Sequence, residues 1–346
     1  MSVILLMLFL FPLFISGVTI QSHAQGLPPK SIAVSVSSLA GIVKGIGGSY
    51  YNTTVLLEQE ADPHAFTLTP KVIAKADDAD LLVLTGHFHW EEELANLTST
   101  PFISLHDNNA LENYEDYGAA LSPMPGGEVA GDSHNGNPHA YWLLPSNALA
   151  IANATRAALT ILNASLTVEW NSNFAAFSNS VAELNELISS LDDVYGFSNE
   201  HAVVVAPAEA YVAEAFGITV DAVLQIEDIT LSGSRLLEVQ QAIQNGSIDL
   251  IIGSDVAQFQ TGGEFAYQMQ SDYGGILIWW KTIFFAEADY FWMMNYNLGA
   301  LVSGLEGRSG EVTDNTLNIG LLALSGVLGV LVVIESVLLI IRAKAE

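Results

Sequence analysis

Short apolar segments alternate with amphipathic segments twice along this chain, once on each side of a long helical stretch. The first alternation covers residues 31–145 and the second covers residues 200–306. Between them lies a helical region, residues 146–199, in which apolar side chains recur at helical spacing from Val168 to Leu191. Alternating strands and helices are typical of parallel sheets covered by helices. The pattern therefore predicts an α/β fold of two α/β lobes, joined by a long rigid helix and separated by an interlobe cleft.

Both ends of the chain carry apolar runs that predict export and attachment to a membrane. We interpret residues 1–24 as a signal peptide, although an uncleaved anchor stays open because no Lys or Arg precedes the apolar block. After a linker at residues 307–317, the apolar run at residues 318–341 is long enough for a C-terminal transmembrane helix. The basic residues of the tail, 342–346, favour the cytoplasm. We therefore expect a single-pass protein of the cell membrane, with its body extracellular and its C-terminus cytoplasmic.

The charge of the chain restricts its partners. With 38 acidic and 10 basic residues, the net charge of −28 argues against nucleic acid and anionic membrane surfaces. It favours cations, although a saline or acidic habitat explains the same composition. The chain has no cysteine, which excludes disulfides and a lipid-anchoring cysteine, so the C-terminal helix is the predicted tether. Five sequons permit N-glycosylation, at Asn52, Asn96, Asn153, Asn163 and Asn245.

Two histidines stand directly after prolines. His64 follows Pro63 and His139 follows Pro138, each in a polar stretch next to an apolar one. Proline fixes its own φ and biases the residue before it towards extended backbone. Both imidazoles are therefore expected on stiff, non-helical backbone, which is what a preformed metal site requires.

A second pair of histidines, His87 and His89, follows the apolar strand predicted at residues 81–84. In α/β sheets, ligands bind at the carboxyl ends of strands. On an extended segment positions 87 and 89 point the same way, so both side chains are candidates for one ion. We interpret the following acidic run, residues 91–93, as N-terminal charge on the solvated face of a helix.

The order of these motifs resembles the solute-binding receptors of ABC-type zinc and manganese importers, the TroA-like or cluster A-I family. The resemblance covers about residues 31–305. It implies two lobes bridged by a rigid helix, one divalent cation bound between them, and an ABC permease as partner. It rests on Ala61-Asp62-Pro63-His64 with Leu68-Thr69-Pro70, the segment from Ala76 to Gly86, Asn137-Pro138-His139 with Trp142 and Pro145, Ala208 to Ile218, and Tyr290 to Leu301.

The chain departs from the family at two ligand positions. A His or Glu expected five residues before Tyr211 is Ala206, which cannot coordinate a metal. A carboxylate expected after the last strand falls near Trp279 or Trp280. The resemblance leaves two ligands in place, and three other residues are candidates for the missing donors. The metal ligands predicted are therefore His64 and His139, with His89, His87 and Glu209 as the candidates.

Three functions are compatible with the sequence. The first is a tethered extracellular receptor that captures a divalent cation and passes it to an ABC permease; imidazole ligands favour zinc over manganese. The second is a surface glycoprotein or adhesin of the same fold, whose site is degenerate or takes a ligand other than a metal; Ala206 is its evidence. The third is a zinc hydrolase. Because His-Glu-x-x-His and Gly-x-Ser-x-Gly motifs are absent, we expect no catalytic residues and no enzyme.

Overall fold

The structure of the protein is a computed structural model that describes residues 30–57, 63–125, 136–226, 229–231, 233–259, 261–283 and 289–308. The predicted signal peptide and the predicted transmembrane segment both lie outside these residues. Within the described ranges, no helix combines the length and the apolar character that crossing a membrane requires.

The first lobe is a parallel sheet with helices on its faces. In the described residues its strands follow the order β2-β1-β3-β4-β5, and every neighbouring pair is parallel. The central strand is apolar and buried throughout, as expected for a strand covered on both faces. The elements are β1 (Lys30–Val34), α1 (Ser37–Gly47), β2 (Tyr51–Val55), α2 (Pro70–Asp77), β3 (Leu81–Val83), α3 (His89–Leu97), β4 (Phe102–Ser104) and β5 (Glu112–Asn113).

Two long helices connect the lobes. They are α4 (Pro145–Leu162) and α5 (Thr167–Tyr195). At about 1.5 Å per residue, the 29 residues of α5 span roughly 43 Å. Its buried side chains recur at helical spacing and form one stripe, which packs against α1 and α4. A long helix therefore lies where the spacing of apolar residues predicts one.

The second lobe repeats the architecture of the first. Its main sheet has the order β11-β10-β6-β7 among the described residues, again with parallel neighbours, and β8 and β9 form a small antiparallel pair. The elements are β6 (His201–Val204), α6 (Glu209–Ala215), β7 (Thr219–Val223), β8 (Gln225–Ile226), β9 (Ile229–Thr230), α7 (Gly233–Gln244), β10 (Leu250–Ser254), α8 (Thr261–Tyr273), β11 (Ile276–Trp280) and α9 (Tyr290–Arg308).

Among the described residues, the two lobes share the larger apolar core, and a smaller one lies within the second lobe. Buried apolar side chains from both lobes and from α4 and α5 form a continuous cluster. The start of α9 lies directly against α1: a Cβ added at Gly41 would lie 2.5 Å from the backbone nitrogen of Tyr290, so only glycine fits there. The Tyr290 hydroxyl also donates a hydrogen bond to the carbonyl of Leu143 at 2.7 Å. These contacts hold the lobes together on the side of α9. The predicted two-lobe α/β fold is confirmed.

Candidate metal centre

Three histidines of the first lobe meet at one point. His64, His87 and His139 each place a ring nitrogen within 4.8 Å of the other two. The ring centroids are 5.0 Å apart for His64 and His87, 5.4 Å for His64 and His139, and 4.4 Å for His87 and His139. Three nitrogens that bind one zinc ion tetrahedrally lie about 3.3 Å apart, because each Zn–N bond is about 2.0–2.1 Å long. The three side chains are therefore within a small rotation of a tridentate site.

His64 follows β2 and is the exposed member of the cluster. The backbone of the preceding residue, Pro63, is held in place because the indole nitrogen of Trp90 donates a hydrogen bond to the Pro63 carbonyl at 3.1 Å. Pro63 and Trp90 are both buried. The backbone before His64 is thus anchored in the core, while the His64 side chain is exposed.

His87 lies in the tight loop between β3 and α3. Gly86 has a positive φ of 73°, and a Cβ there would lie 2.5 Å from Ser104 Oγ, so the turn requires glycine. The buried carboxylate of Glu91 organises the rest of the loop. It accepts hydrogen bonds from the backbone nitrogens of Thr85 at 2.8 Å, His87 at 3.1 Å and Phe88 at 3.2 Å. The solvated-face interpretation of the acidic run is therefore wrong for Glu91, which is 1% exposed.

His89 stands outside the cluster. It is the first residue of α3, its side chain is 92% exposed, and its Nδ1 lies 3.9 Å from Glu92. Because the Glu91 carboxylate starts the helix at residue 89, positions 87 and 89 do not share an extended face. Of the pair predicted after β3, the structure brings only His87 to the other histidines.

His139 lies in the turn that leads into α4. Ala140 after it adopts a left-handed conformation, with φ 58° and ψ 27°, and is fully buried. The Tyr141 hydroxyl donates a hydrogen bond to the carbonyl of Thr85 at 2.7 Å, which joins this turn to the loop of His87. The two loops thus have a fixed relative position, and His139 Nδ1 lies 3.0 Å from Asn137 Oδ1.

The comparisons with known proteins agree with this fold. A family model described as the periplasmic zinc-uptake complex component A, ZnuA, matches residues 32–304. The chain belongs to the ZnuA family. The predicted resemblance to zinc and manganese receptors of ABC importers is therefore confirmed.

Three proteins similar to this ZnuA-family chain share about a quarter of its residues or fewer. The zinc-binding lipoprotein AdcA of Streptococcus pneumoniae is 24% identical over 267 residues, which cover 71% of this chain and 49% of AdcA. The chain thus spans about half the length of the curated relatives that it matches. A deletion mutant of ZnuA with zinc bound has a TM-score of 0.64 at 19% identity, over 79% of this chain and 96% of that one. FpvC from Pseudomonas aeruginosa, in complex with Mn²⁺, has a TM-score of 0.65 at 18% identity, over 81% and 99%. These two structures show the shared fold.

The second lobe of this ZnuA-family chain adds no histidine or carboxylate to the cluster from the residues that the structure describes. Ala206 occupies the expected ligand position, and Trp280 is buried. Glu209 is fully buried, and its Oε2 accepts a hydrogen bond from the backbone nitrogen of Ala206 at 2.8 Å. Burial raises the pKa of Glu209 to about 8, although hydrogen bonds from Ser254 and the backbone oppose the rise. Glu209 therefore interacts with its own loop and with Ser254 of β10, and it is not part of the histidine cluster.

Two other histidines of this chain pair with carboxylates and lie outside the cluster. His106 Nδ1 pairs with Glu115 at 2.9 Å, and His201 Nδ1 pairs with Asp221 at 2.8 Å. The sequence did not predict that the Glu91 carboxylate would be buried and would fix the loop of His87. Glu91 stands at the spacing of a capping box, but Phe88 lacks the side-chain oxygen that such a box requires, so the signal in the sequence was incomplete.

Proposed function

We propose that the protein is an extracellular receptor that binds one zinc ion through His64, His87 and His139 and delivers it to an ABC permease without covalent chemistry. The observation that carries the proposal is the convergence of three imidazoles from three loops, with their nitrogens within 4.8 Å. Imidazole is a preferred ligand of zinc, whereas manganese favours carboxylate and carbonyl oxygens. His87 takes the place of the donor that is missing at Ala206.

Membership of a zinc-uptake family supports delivery to a permease. Attachment to the membrane is a further part of the proposal, and the apolar sequence of residues 318–341 supports it. Of the sequon residues, Asn52, Asn96 and Asn245 are exposed, which suits glycosylation of an extracellular body. Membrane fractionation tests the tether: removing residues 318–341 moves the protein to the soluble fraction, and retention of the truncated protein on membranes would contradict it.

Calorimetric titration of the full chain in mild detergent tests the zinc site. We expect one zinc ion per chain at neutral pH, and a loss of at least tenfold in affinity for each of His64→Ala, His87→Ala and His139→Ala. His89→Ala is the matched control, since His89 is the neighbouring histidine whose side chain points to solvent. We expect it to bind zinc as the wild type does.

The variants also separate the proposed site from its alternatives. If His89→Ala abolishes binding and His87→Ala does not, the assignment of the third ligand is wrong. If the wild-type chain binds no zinc, the receptor function is refuted, and an adhesin or a receptor for another ligand takes its place.

A further inference from the structure

We propose that Asn137 is a positioning residue through which the second lobe sets the tautomer and the orientation of the metal ligand His139. The inference rests on the proposed zinc site. The second lobe would supply no metal ligand. It would instead accept a hydrogen bond from Asn137, which in turn orients His139 of the first lobe.

Two backbone groups fix the orientation of the Asn137 side-chain amide. The backbone nitrogen of His139 donates to Asn137 Oδ1 at 3.1 Å, and Asn137 Nδ2 donates to the carbonyl of Pro207 at 2.9 Å. A backbone N–H can only donate and a carbonyl can only accept. The positions of the amide oxygen and nitrogen therefore follow from their partners. Asn137 is 1% exposed, so water does not compete for these bonds.

The fixed amide determines where His139 carries its proton. His139 Nδ1 lies 3.0 Å from Asn137 Oδ1. Because the amide oxygen only accepts, Nδ1 must be the protonated nitrogen of the neutral ring. The lone pair of the neutral imidazole is then on Nε2, the form that binds a metal. Flipping the amide would place an NH₂ group against Nδ1 and favour the opposite tautomer.

The second lobe holds this arrangement from the other side. The backbone nitrogen of Ser122 donates to the hydroxyl oxygen of Tyr211 at 2.9 Å, so the Tyr211 proton is directed to the carbonyl of Asn137, at 2.5 Å. Asn137 in turn donates its backbone N–H to the carbonyl of Ser122 at 2.7 Å. Tyr211 is 1% exposed. Pro207 and Tyr211 both belong to the segment around α6, so two contacts of that segment reach Asn137.

Separation of the lobes would therefore act on His139 at a distance. Once Pro207 moves away, the Asn137 amide loses the acceptor that fixes its orientation, and His139 loses its preference for the Nδ1–H tautomer. Loss of such a partner of a metal-bound histidine typically lowers metal affinity 10–100-fold. Lobe opening is thus coupled to zinc affinity, even though Asn137 and His139 keep their places in the first lobe and Pro207 keeps its place in the second.

The tautomer is measured directly in the metal-free, full-length protein labelled with ¹⁵N-histidine. Long-range ¹H–¹⁵N correlation at neutral pH distinguishes the two ring nitrogens, and His139→Gln identifies the signal. We expect Nδ1–H in the wild type, a mixture of tautomers in Asn137→Ala, and a zinc Kd that rises 10–100-fold in Asn137→Ala. An Nε2–H tautomer in the wild type would overturn the inference.

Asn297→Ala is the matched control for the loss of a buried asparagine. Asn297 is fully buried and makes two hydrogen bonds to the backbone of Lys281, at 2.7 and 2.8 Å. We expect it to lower stability as Asn137→Ala does while leaving the His139 tautomer and the zinc Kd unchanged. An equal loss of zinc affinity in both variants would reduce Asn137 to a structural role and refute the proposal.

A third variant tests the role of the second lobe. Tyr211→Phe removes the hydrogen bonds of Tyr211 to Asn137 and Ser122 but keeps the aromatic ring, and we expect a smaller rise in zinc Kd than in Asn137→Ala. An unchanged Kd would remove the Tyr211 contact from the mechanism and leave Pro207 as the contact through which the second lobe acts. If Asn137→Ala does not fold, the proposal is still tested by the His139 tautomer of the wild type and by the zinc Kd of Tyr211→Phe. An Nδ1–H tautomer in a wild-type protein that binds no zinc would refute the proposed function and leave the tautomer assignment intact.

Discussion

Glu209 is a buried carboxyl group whose ionisation is expected to weaken the fold. It is fully buried at the start of α6, and burial raises its pKa from 4.5 to about 8. The folded protein therefore keeps this proton up to a pH of about 8, whereas the unfolded chain releases it at a pH of about 4.5. Between these values the unfolded state binds fewer protons than the folded state. The contribution of Glu209 to the free energy of unfolding thus falls as the pH rises through this window, and it stays low above it.

The magnitude follows from the size of the shift. One pKa unit corresponds to about 1.4 kcal/mol, so a shift from 4.5 to about 8 costs on the order of 5 kcal/mol of stability once the group is ionised. Glu209→Gln replaces the carboxyl by a neutral group of the same shape. The amide oxygen of Gln can still accept the hydrogen bond from the backbone nitrogen of Ala206. We therefore expect the variant to lose this pH dependence and to be several kcal/mol more stable than the wild type at pH 8.5.

Urea denaturation followed by tryptophan fluorescence, at pH values between 5 and 9, measures the difference. The free energies of unfolding should be similar near pH 5 and diverge towards pH 8.5. Glu214→Gln is the control, because Glu214 lies on the same helix but is exposed. Parallel pH profiles for the wild type and Glu209→Gln would refute the assignment of a raised pKa to Glu209.

Three further outcomes are expected. Gly86→Ala places a Cβ 2.5 Å from Ser104 Oγ at a φ of 73°, so thermal denaturation should show a loss of about 1–3 kcal/mol, with wild-type stability as the contrary result. Trp90→Phe removes the hydrogen bond to Pro63 and should cost about 1 kcal/mol in urea denaturation and weaken zinc binding in calorimetry, whereas unchanged binding would show that the anchor is dispensable. Zinc at a hundredfold excess over Kd should stabilise the wild type by about 2.7 kcal/mol in thermal denaturation, and an equal gain in His139→Ala would place the ion elsewhere.

Much of the fold was predictable because the spacing of apolar residues is visible within individual helices and strands. The spacing of apolar residues predicted α5, and α2 begins with Pro70 in its first turn, a position that proline favours. Helix α8 was missed. Its second and third residues are Gly262 and Gly263, which are typical of loops, but a Cβ at Gly263 would lie 2.6 Å from the carbonyl of Ala257. The glycine is there for close packing, and only tertiary structure reveals that reason.

The candidate site was predictable in its residue types but not in its geometry. His64 and His139 were identified from the prolines before them, and both lie in the cluster. The choice between His87 and His89 depended on where α3 begins. Phe88 at the N-cap has no capping oxygen, and the cap comes instead from the buried Glu91 carboxylate. Because the sequence does not show that this carboxylate is buried, the helix start and the exclusion of His89 could not be predicted.

The location of the three histidines on one lobe has a consequence for zinc release. If the lobes part, a metal bound by His64, His87 and His139 keeps all three ligands, and the change near the site is the loss of the hydrogen bonds that join Asn137 to Pro207 and Tyr211. Such a loss weakens binding about 10–100-fold but breaks no metal–ligand bond. Release then requires an incoming donor, which can approach from the exposed side of His64. We therefore expect the rate of zinc dissociation, measured by competition with a chelator, to rise in proportion to chelator concentration. A rate independent of the chelator would show that zinc leaves unassisted, and it would contradict release by ligand exchange.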